Sequence, residues 1–201
     1  MLANWITALR TLMALLAIAL LFTSSPGAYW AAFGLTVAAI WMDGLDGYVA
    51  RARGETSTIG AQLDIFADRI VEQAYWLGFL ALGWIPLWVP MTVMIRGVLV
   101  DGFRAIAQAQ GYSAFGQSTM MQSPLGVLLV SSRFSRWTYA VTKALAFALM
   151  IVAHRPGVPA ASLAPWQDAA WIMTLIAVIF CALRGLPVLV EGRRFLSAKT
   201  P

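Results

Sequence analysis

Charge is what this sequence has least of: 11% of its 201 residues are Asp, Glu, Lys or Arg, and 60% are hydrophobic. Soluble domains carry about a quarter charged residues, so a water-facing globular surface is excluded over any long stretch. No segment is polar enough to form a separate soluble domain, and residues 1–201 read as one membrane domain. Cysteine is nearly missing. The single Cys181 lies in an apolar run, which rules out a disulfide framework or a thiolate metal site and leaves a packed helical residue. Histidine is as scarce: His154 closes an apolar run just before RPGVPAASLAPWQD and reads as an interfacial residue. No internal repeat is evident. The net charge of +5 raises nucleic acid as a partner, but the basic residues gather at helix ends, where membrane topology accounts for them. No nucleic-acid partner is expected.

What the chain has is apolar length. Mean hydropathy is +0.75, and runs near the ~20 residues needed to cross a bilayer recur along it. The pattern predicts an all-α integral membrane protein with about six transmembrane helices, at 4–24, 28–53, 58–83, 86–111, 134–154 and 167–193, in a single bundle. The breaks between them carry turn chemistry: SSPG, RGETS, GWIP, GYSAFGQSTMMQSPLG and HRPGVP. Arg51, Arg53, Arg104, Arg133, Arg136, Arg193, Arg194 and Lys199 fall to one side, against little beyond Arg155 on the other. The positive-inside rule then puts both termini in the cytoplasm, in the inner membrane of the cell. The start of the chain also resembles a signal peptide, with Arg10 followed by LMALLAIALLF and SSPGA. However, Asn4, Thr7 and Arg10 recur every third residue at the cytoplasmic interface, which favours a retained helix.

Against this background four aspartates stand out in DGLDGYVARARGETSTIGAQLDIFAD, residues 43–68. An ionised carboxylate in hydrocarbon costs kilocalories per mole and usually marks a function. Asp43 and Asp46 are three apart, Asp64 and Asp68 four apart, so each pair shares a helix face. The short connector RARGETS makes the two helices a hairpin, and the pairs can face each other at a polar cavity open to the cytoplasm. Crowded carboxylates repel unless protonated or neutralised. Hard oxygen ligands at this density suit two Mg²⁺ or Mn²⁺ ions, the arrangement used for phosphoryl transfer. Gly47, Ala50 and Gly60 allow close helix approach and leave room for a nucleotide, and either role accounts for them. Arg51 can snorkel to the interface, reach a substrate phosphate or pair with an aspartate.

The stretch resembles the signature of the CDP-alcohol phosphatidyltransferase family, D-x2-D-G-x2-A-R-x8-G-x3-D-x3-D. It is met here by Asp43, Asp46, Gly47, Ala50, Arg51, Gly60, Asp64 and Asp68 with every spacing intact. The resemblance extends to the six-helix plan and to the N-x-x-T-x-x-R run at Asn4, Thr7 and Arg10, and it weakens after about residue 112. It implies that Asp43, Asp46, Asp64 and Asp68 hold two metal ions and that Asp68 doubles as the base. It also implies that Gly47, Arg51, Gly60 and a connector hydroxyl, Ser57, contact the CDP-lipid, with Asn4 and Thr7 flanking the nucleotide. The substrates would be CDP-diacylglycerol and a small alcohol, and the protein a homodimer in the lipid bilayer.

The acceptor is read from the remaining cations. Arg96 lies too deep in its helix for topology to explain, and Arg104 follows eight residues later. Arg133, Arg136 and Lys143 begin the fifth helix. Arginine binds phosphate bidentately, so these residues point to an acceptor with its own phosphate. IRGVLVDGFRAIAQAQG looks similar to bacterial phosphatidylglycerophosphate synthases, although Gly97 stands where those often have Glu. Glycerol 3-phosphate is the first choice and inositol phosphate the alternative. Asp101 is expected to pair with Arg104, and Glu72 either tunes the site or pairs with Arg69. Two rivals remain: a divalent-cation transporter using intramembrane carboxylates, and a catalytically idle scaffold. Carboxylates clustered at one end, rather than at the midplane, argue against the transporter.

Overall fold

The computed structural model describes residues 2–52, 58–112 and 120–197; within it, side chains are described except at residues 2–3, 46–52, 58–59, 61 and 196–197. Among the described residues all regular structure is helical, without a strand: α1 (Leu2–Leu21), α2 (Pro26–Ala52), α3 (Thr58–Ala81), α4 (Trp88–Ala109), a single turn α5 (Pro124–Gly126), a π-helical segment (Val127–Ser131), α6 (Arg133–Ala153) and α7 (Ala160–Ser197). Four stretches are long and apolar enough to cross a membrane: Asn4–Leu21, Pro26–Leu45, Arg133–Ala153 and Ala160–Phe195.

Five expected helices fall within a few residues of those observed, and the last differs. It begins at Ala160 rather than 167, so the polar stretch ASLAPWQD is helical and α7 runs for 38 residues. At 1.5 Å per residue that is about 57 Å, well beyond the ~30 Å hydrocarbon core. Pro165 and Pro187 sit inside it. The GYSAFGQSTMMQSPLG break is also shorter than expected, because its end winds into α5 and the π-helical segment.

Contacts divide the chain into two compact units. The first comprises residues 1–87 and 144–172. Here α1 packs along α2 and α3. Buried side chains on α1 recur at Thr7, Arg10, Ala14, Ala17 and Leu21, and on α2 at Tyr29, Ala32, Thr36 and Ala39. Alternate steps of three and four make one stripe on each helix. The stripes are rich in small residues, and the outward faces carry Leu12, Leu16, Trp41 and Phe66. Bulk outside and small residues inside is the arrangement that lets helices approach closely in lipid. At Gly78 on α3 a Cβ would fall 2.8 Å from the Ile18 side chain of α1, so a methyl there would force Ile18 to shift. Aromatic packing closes the far end. Phe147 of α6 stacks on Tyr75 with centroids 4.6 Å apart, and His154 stacks on Trp84 at 4.3 Å.

The second unit comprises residues 88–143 and 173–201. Its core gathers Val100, Ala107, Met120, Met121, Val130, Val188 and Phe195. Glu191 of α7 anchors the segment before α5 by accepting from the backbone N–H of Gln122 (2.6 Å) and the hydroxyl of Ser123 (2.5 Å). The π-helical turn is held by the Ser132 N–H, which donates to the Val127 carbonyl at 3.0 Å. The Ser135 hydroxyl satisfies the Leu129 carbonyl at 2.6 Å.

Candidate active site

The carboxylate site is assembled from three helices of the first unit. Asp43 extends the buried stripe of α2 by one more turn, four residues beyond Ala39. Asp64 and Asp68 lie one turn apart on α3, as their spacing requires. Asp43, Asp64 and Asp68 each offer an oxygen, and these lie within 4.8 Å of one another, close enough to hold a metal ion. Into this group reaches Arg10 of α1. Its guanidinium pairs with Asp43 and Asp64 in close contact and donates to Asp68 at 2.9 Å. The Arg10 side chain is 5% exposed while the three carboxylates are about half exposed. The acids therefore form an open mouth over a buried cation.

Among the described contacts three carboxylates share one guanidinium, and a divalent cation would bring further positive charge to them. The ligands are all hard oxygens, the set preferred by Mg²⁺ and Mn²⁺. The site residues thus fit a divalent ion.

The other expected residues of this region divide clearly. Thr7 is buried one turn before Arg10, and Asn4 is exposed. Gly60 is half-buried one turn before Asp64. Asp46, Gly47 and Arg51 lie in the last turns of α2, with side chains outside the described residues, and Ser57 lies outside them altogether. Glu72 is buried on the Asp64–Asp68 stripe and pairs with Arg69 at 3.2 Å.

In the second unit the cations separate into two kinds. Arg104 faces Asp101 at 3.9 Å, as expected, and Arg133 is exposed. Arg136 and Lys143 are half-buried, with the Lys143 ammonium 4.8 Å from the Tyr139 ring centroid. Arg96 is buried, and its Nε has no hydrogen-bond partner among the described residues. Its stem crosses α7 at Gly185, where a Cβ would fall 2.7 Å from the Arg96 Cγ. Next to that glycine is Arg184, which the sequence reading passed over. It is 5% exposed, donates to the Ser135 carbonyl at 2.8 Å and lies over Tyr139, within electrostatic reach of Arg96 and Arg136. An arginine inside the apolar run CALRGLPVLV was the available signal.

The sequence profile of CDP-alcohol phosphatidyltransferases matches residues 1–191. The chain belongs to the CDP-alcohol phosphatidyltransferase family. A phosphatidylinositol phosphate synthase of Mycobacteroides abscessus is similar to it, 31% identical over 153 residues that cover 65% of this chain and 70% of that protein. Among solved structures, the Mycobacterium tuberculosis phosphatidylinositol phosphate synthase in complex with manganese and citrate aligns with 93% of this chain and 82% of its own. The identity there is 21% and the TM-score 0.49. As a CDP-alcohol phosphatidyltransferase the protein is an enzyme acting on a CDP-linked alcohol and an alcohol acceptor, which removes the ion-carrier reading. Family membership and its apolar helices together make it an integral membrane protein.

Proposed function

We propose that this enzyme transfers the phosphatidyl group of CDP-diacylglycerol to the hydroxyl of a small phosphorylated alcohol and releases CMP. The observation that carries the reading is the gathering of Asp43, Asp64 and Asp68 around a single cationic centre in a chain of this family. With Asp46 they make the expected set of four ligands. Two Mg²⁺ or Mn²⁺ ions would supply charge neutralisation at the donor diphosphate and at the departing CMP. Asp68 takes the proton of the acceptor hydroxyl. The oxygen so freed attacks the phosphorus that bears diacylglycerol, and the bond from that phosphorus to CMP breaks. Gly47, Arg51, Ser57, Gly60, Asn4 and Thr7 form the CDP-lipid contacts.

The acceptor's phosphate is bound by Arg96, Arg136 and Arg184, with Arg104, Arg133 and Lys143 completing the basic surround. Two buried arginines of like charge, with no carboxylate paired to either among the described residues, favour an anionic ligand. Glycerol 3-phosphate and inositol phosphate both meet this demand. The resemblance of the run around Arg96 and Arg104 to phosphatidylglycerophosphate synthases favours the first, and likeness to a phosphatidylinositol phosphate synthase favours the second.

The same reading makes α3 and α4 spanning helices. They are about 36 and 33 Å long at 1.5 Å per residue, enough for the hydrocarbon core. Both termini and the carboxylate mouth then lie on the cytoplasmic side, and the enzyme acts as a homodimer. The test supplies labelled CDP-diacylglycerol and Mn²⁺ with glycerol 3-phosphate, inositol phosphate, free inositol or serine. A labelled lipid and CMP are expected with one of the two phosphorylated acceptors. Product from free inositol or serine alone would remove the role given to the arginines, and no CMP with any acceptor would remove the reaction.

A further inference from the structure

Arg10 has no part in the chemistry above, yet it is the residue that ties the carboxylates together. It rises from α1, while Asp43 belongs to α2 and Asp64 and Asp68 to α3, so one guanidinium links three helices. The atoms it engages are Oδ1 of each aspartate. Those oxygens are among the ones a metal ion would need. A planar fork with several donors can serve three acids at once, as a single ammonium cannot.

Geometry sets the two occupants against each other, because both call on the same carboxylate oxygens. A divalent ion bound there also puts like charges beside the guanidinium. Position matters equally. The arginine stem lies on the buried stripe between Thr7 and Ala14, which sets the guanidinium beside the acids.

Resting on the proposed metal chemistry, we infer that Arg10 is a positioning residue that stands in for a divalent ion. In the ion-free protein it holds the three carboxylates at ligating separation, and an entering ion displaces it from at least one of them. Without it, the acids would repel and the mouth would spread. Its presence therefore stabilises the ion-free state and weakens ion binding by competition.

The experiment titrates Mn²⁺ alone into the full chain in lipid nanodiscs, reading free Mn²⁺ by paramagnetic resonance and following thermal unfolding with and without the ion. Arg10→Gln is expected to bind Mn²⁺ about tenfold more tightly than wild type, which corresponds to about 1.4 kcal/mol of relieved competition. Its ion-free unfolding temperature should fall and should recover at saturating Mn²⁺. A purely structural arginine would lower the unfolding temperature equally in both states. If Arg10→Gln does not fold in either state, Arg10→Lys decides: tightening of about two- to threefold is expected, because an ammonium engages fewer of the acids. Unchanged or weaker Mn²⁺ binding in the folded variant overturns the inference. Wild-type protein that takes up no Mn²⁺ would instead overturn the metal chemistry itself.

Discussion

The two charged regions of this molecule are built from the same problem and resolve it in opposite ways. In the first unit, acidic side chains meet a buried arginine, and the group is partly neutralised by the chain itself. In the second, Arg96 and Arg184 are buried near each other with no acid paired to either among the described residues. Unpaired buried charge is destabilising unless something compensates it. Among the described residues, the arginine region is therefore short of negative charge, while the carboxylate region gathers three half-exposed acids on one guanidinium. The first set suits cations and the second an anion, which is the basis for the proposed assignment of the donor diphosphate to one and a phosphorylated acceptor to the other.

Breaking the first region should have the largest effect. Asp68→Asn keeps the shape and removes the base, so CMP release from CDP-diacylglycerol should fall by about 10²- to 10⁴-fold. Retention of most of the activity would remove Asp68 from that role. Breaking the second region should instead separate the two substrates. Arg184→Ala, or Arg96→Ala, should raise KM for the acceptor by roughly 10- to 100-fold, the worth of a lost charged hydrogen bond, while CDP-lipid affinity stays near wild type. Equal loss toward both substrates would mean that these arginines serve the fold rather than the acceptor.

A subtler test sharpens the contrast without touching a charge. Gly185→Ala places a methyl 2.7 Å from the Arg96 Cγ, and Gly192→Ala places one 2.6 Å from the Phe103 ring. Both overpack the contact between α4 and α7 and should cost about 1–3 kcal/mol of stability. Only Gly185→Ala should also raise the acceptor KM, by a few-fold, because only there does the intruding methyl push an arginine. Matching KM values in the two variants would break the link between Gly185 and acceptor binding.

How much of this was legible in the sequence differs between the regions for a physical reason. Asp43, Asp64 and Asp68 were found because their spacing is local: three- and four-residue steps on a helix fix a shared face before any tertiary contact is known. Arg10 was visible as part of a polar run, but its burial depends on α1 lying against α2 and α3, which spacing on one helix does not reveal. Arg184 carried a signal that went unread, a lone charge in an apolar run. Its meaning depends on Ser135 and Arg96, 49 and 88 positions away in the chain. The π-helical turn at Val127–Ser131 had no signal in a 3.6-residue period, and the start of α7 was hidden because Pro165 and polar residues read as a loop.

The smallest expected effect comes from a buried polar pair that belongs to neither charged region. The Thr36 hydroxyl donates to the Ala32 carbonyl at 2.7 Å, so the Tyr75 hydroxyl must be the donor in the 2.7 Å bond between the two side chains. Tyr75→Phe removes that donor and keeps the ring, which stacks on Phe147. Thr36 retains its own donation and loses one accepted bond. The cost should be about 1 kcal/mol in thermal unfolding, with Mn²⁺ affinity and both KM values unchanged. The pair joins α2 to α3 within the first unit, between the helices that carry Asp43 and Asp64. A shift in Mn²⁺ affinity on Tyr75→Phe would therefore show that the carboxylate mouth is set by packing between these helices, with Arg10 following it. Unchanged affinity would leave the arginine as the element that gathers the acids.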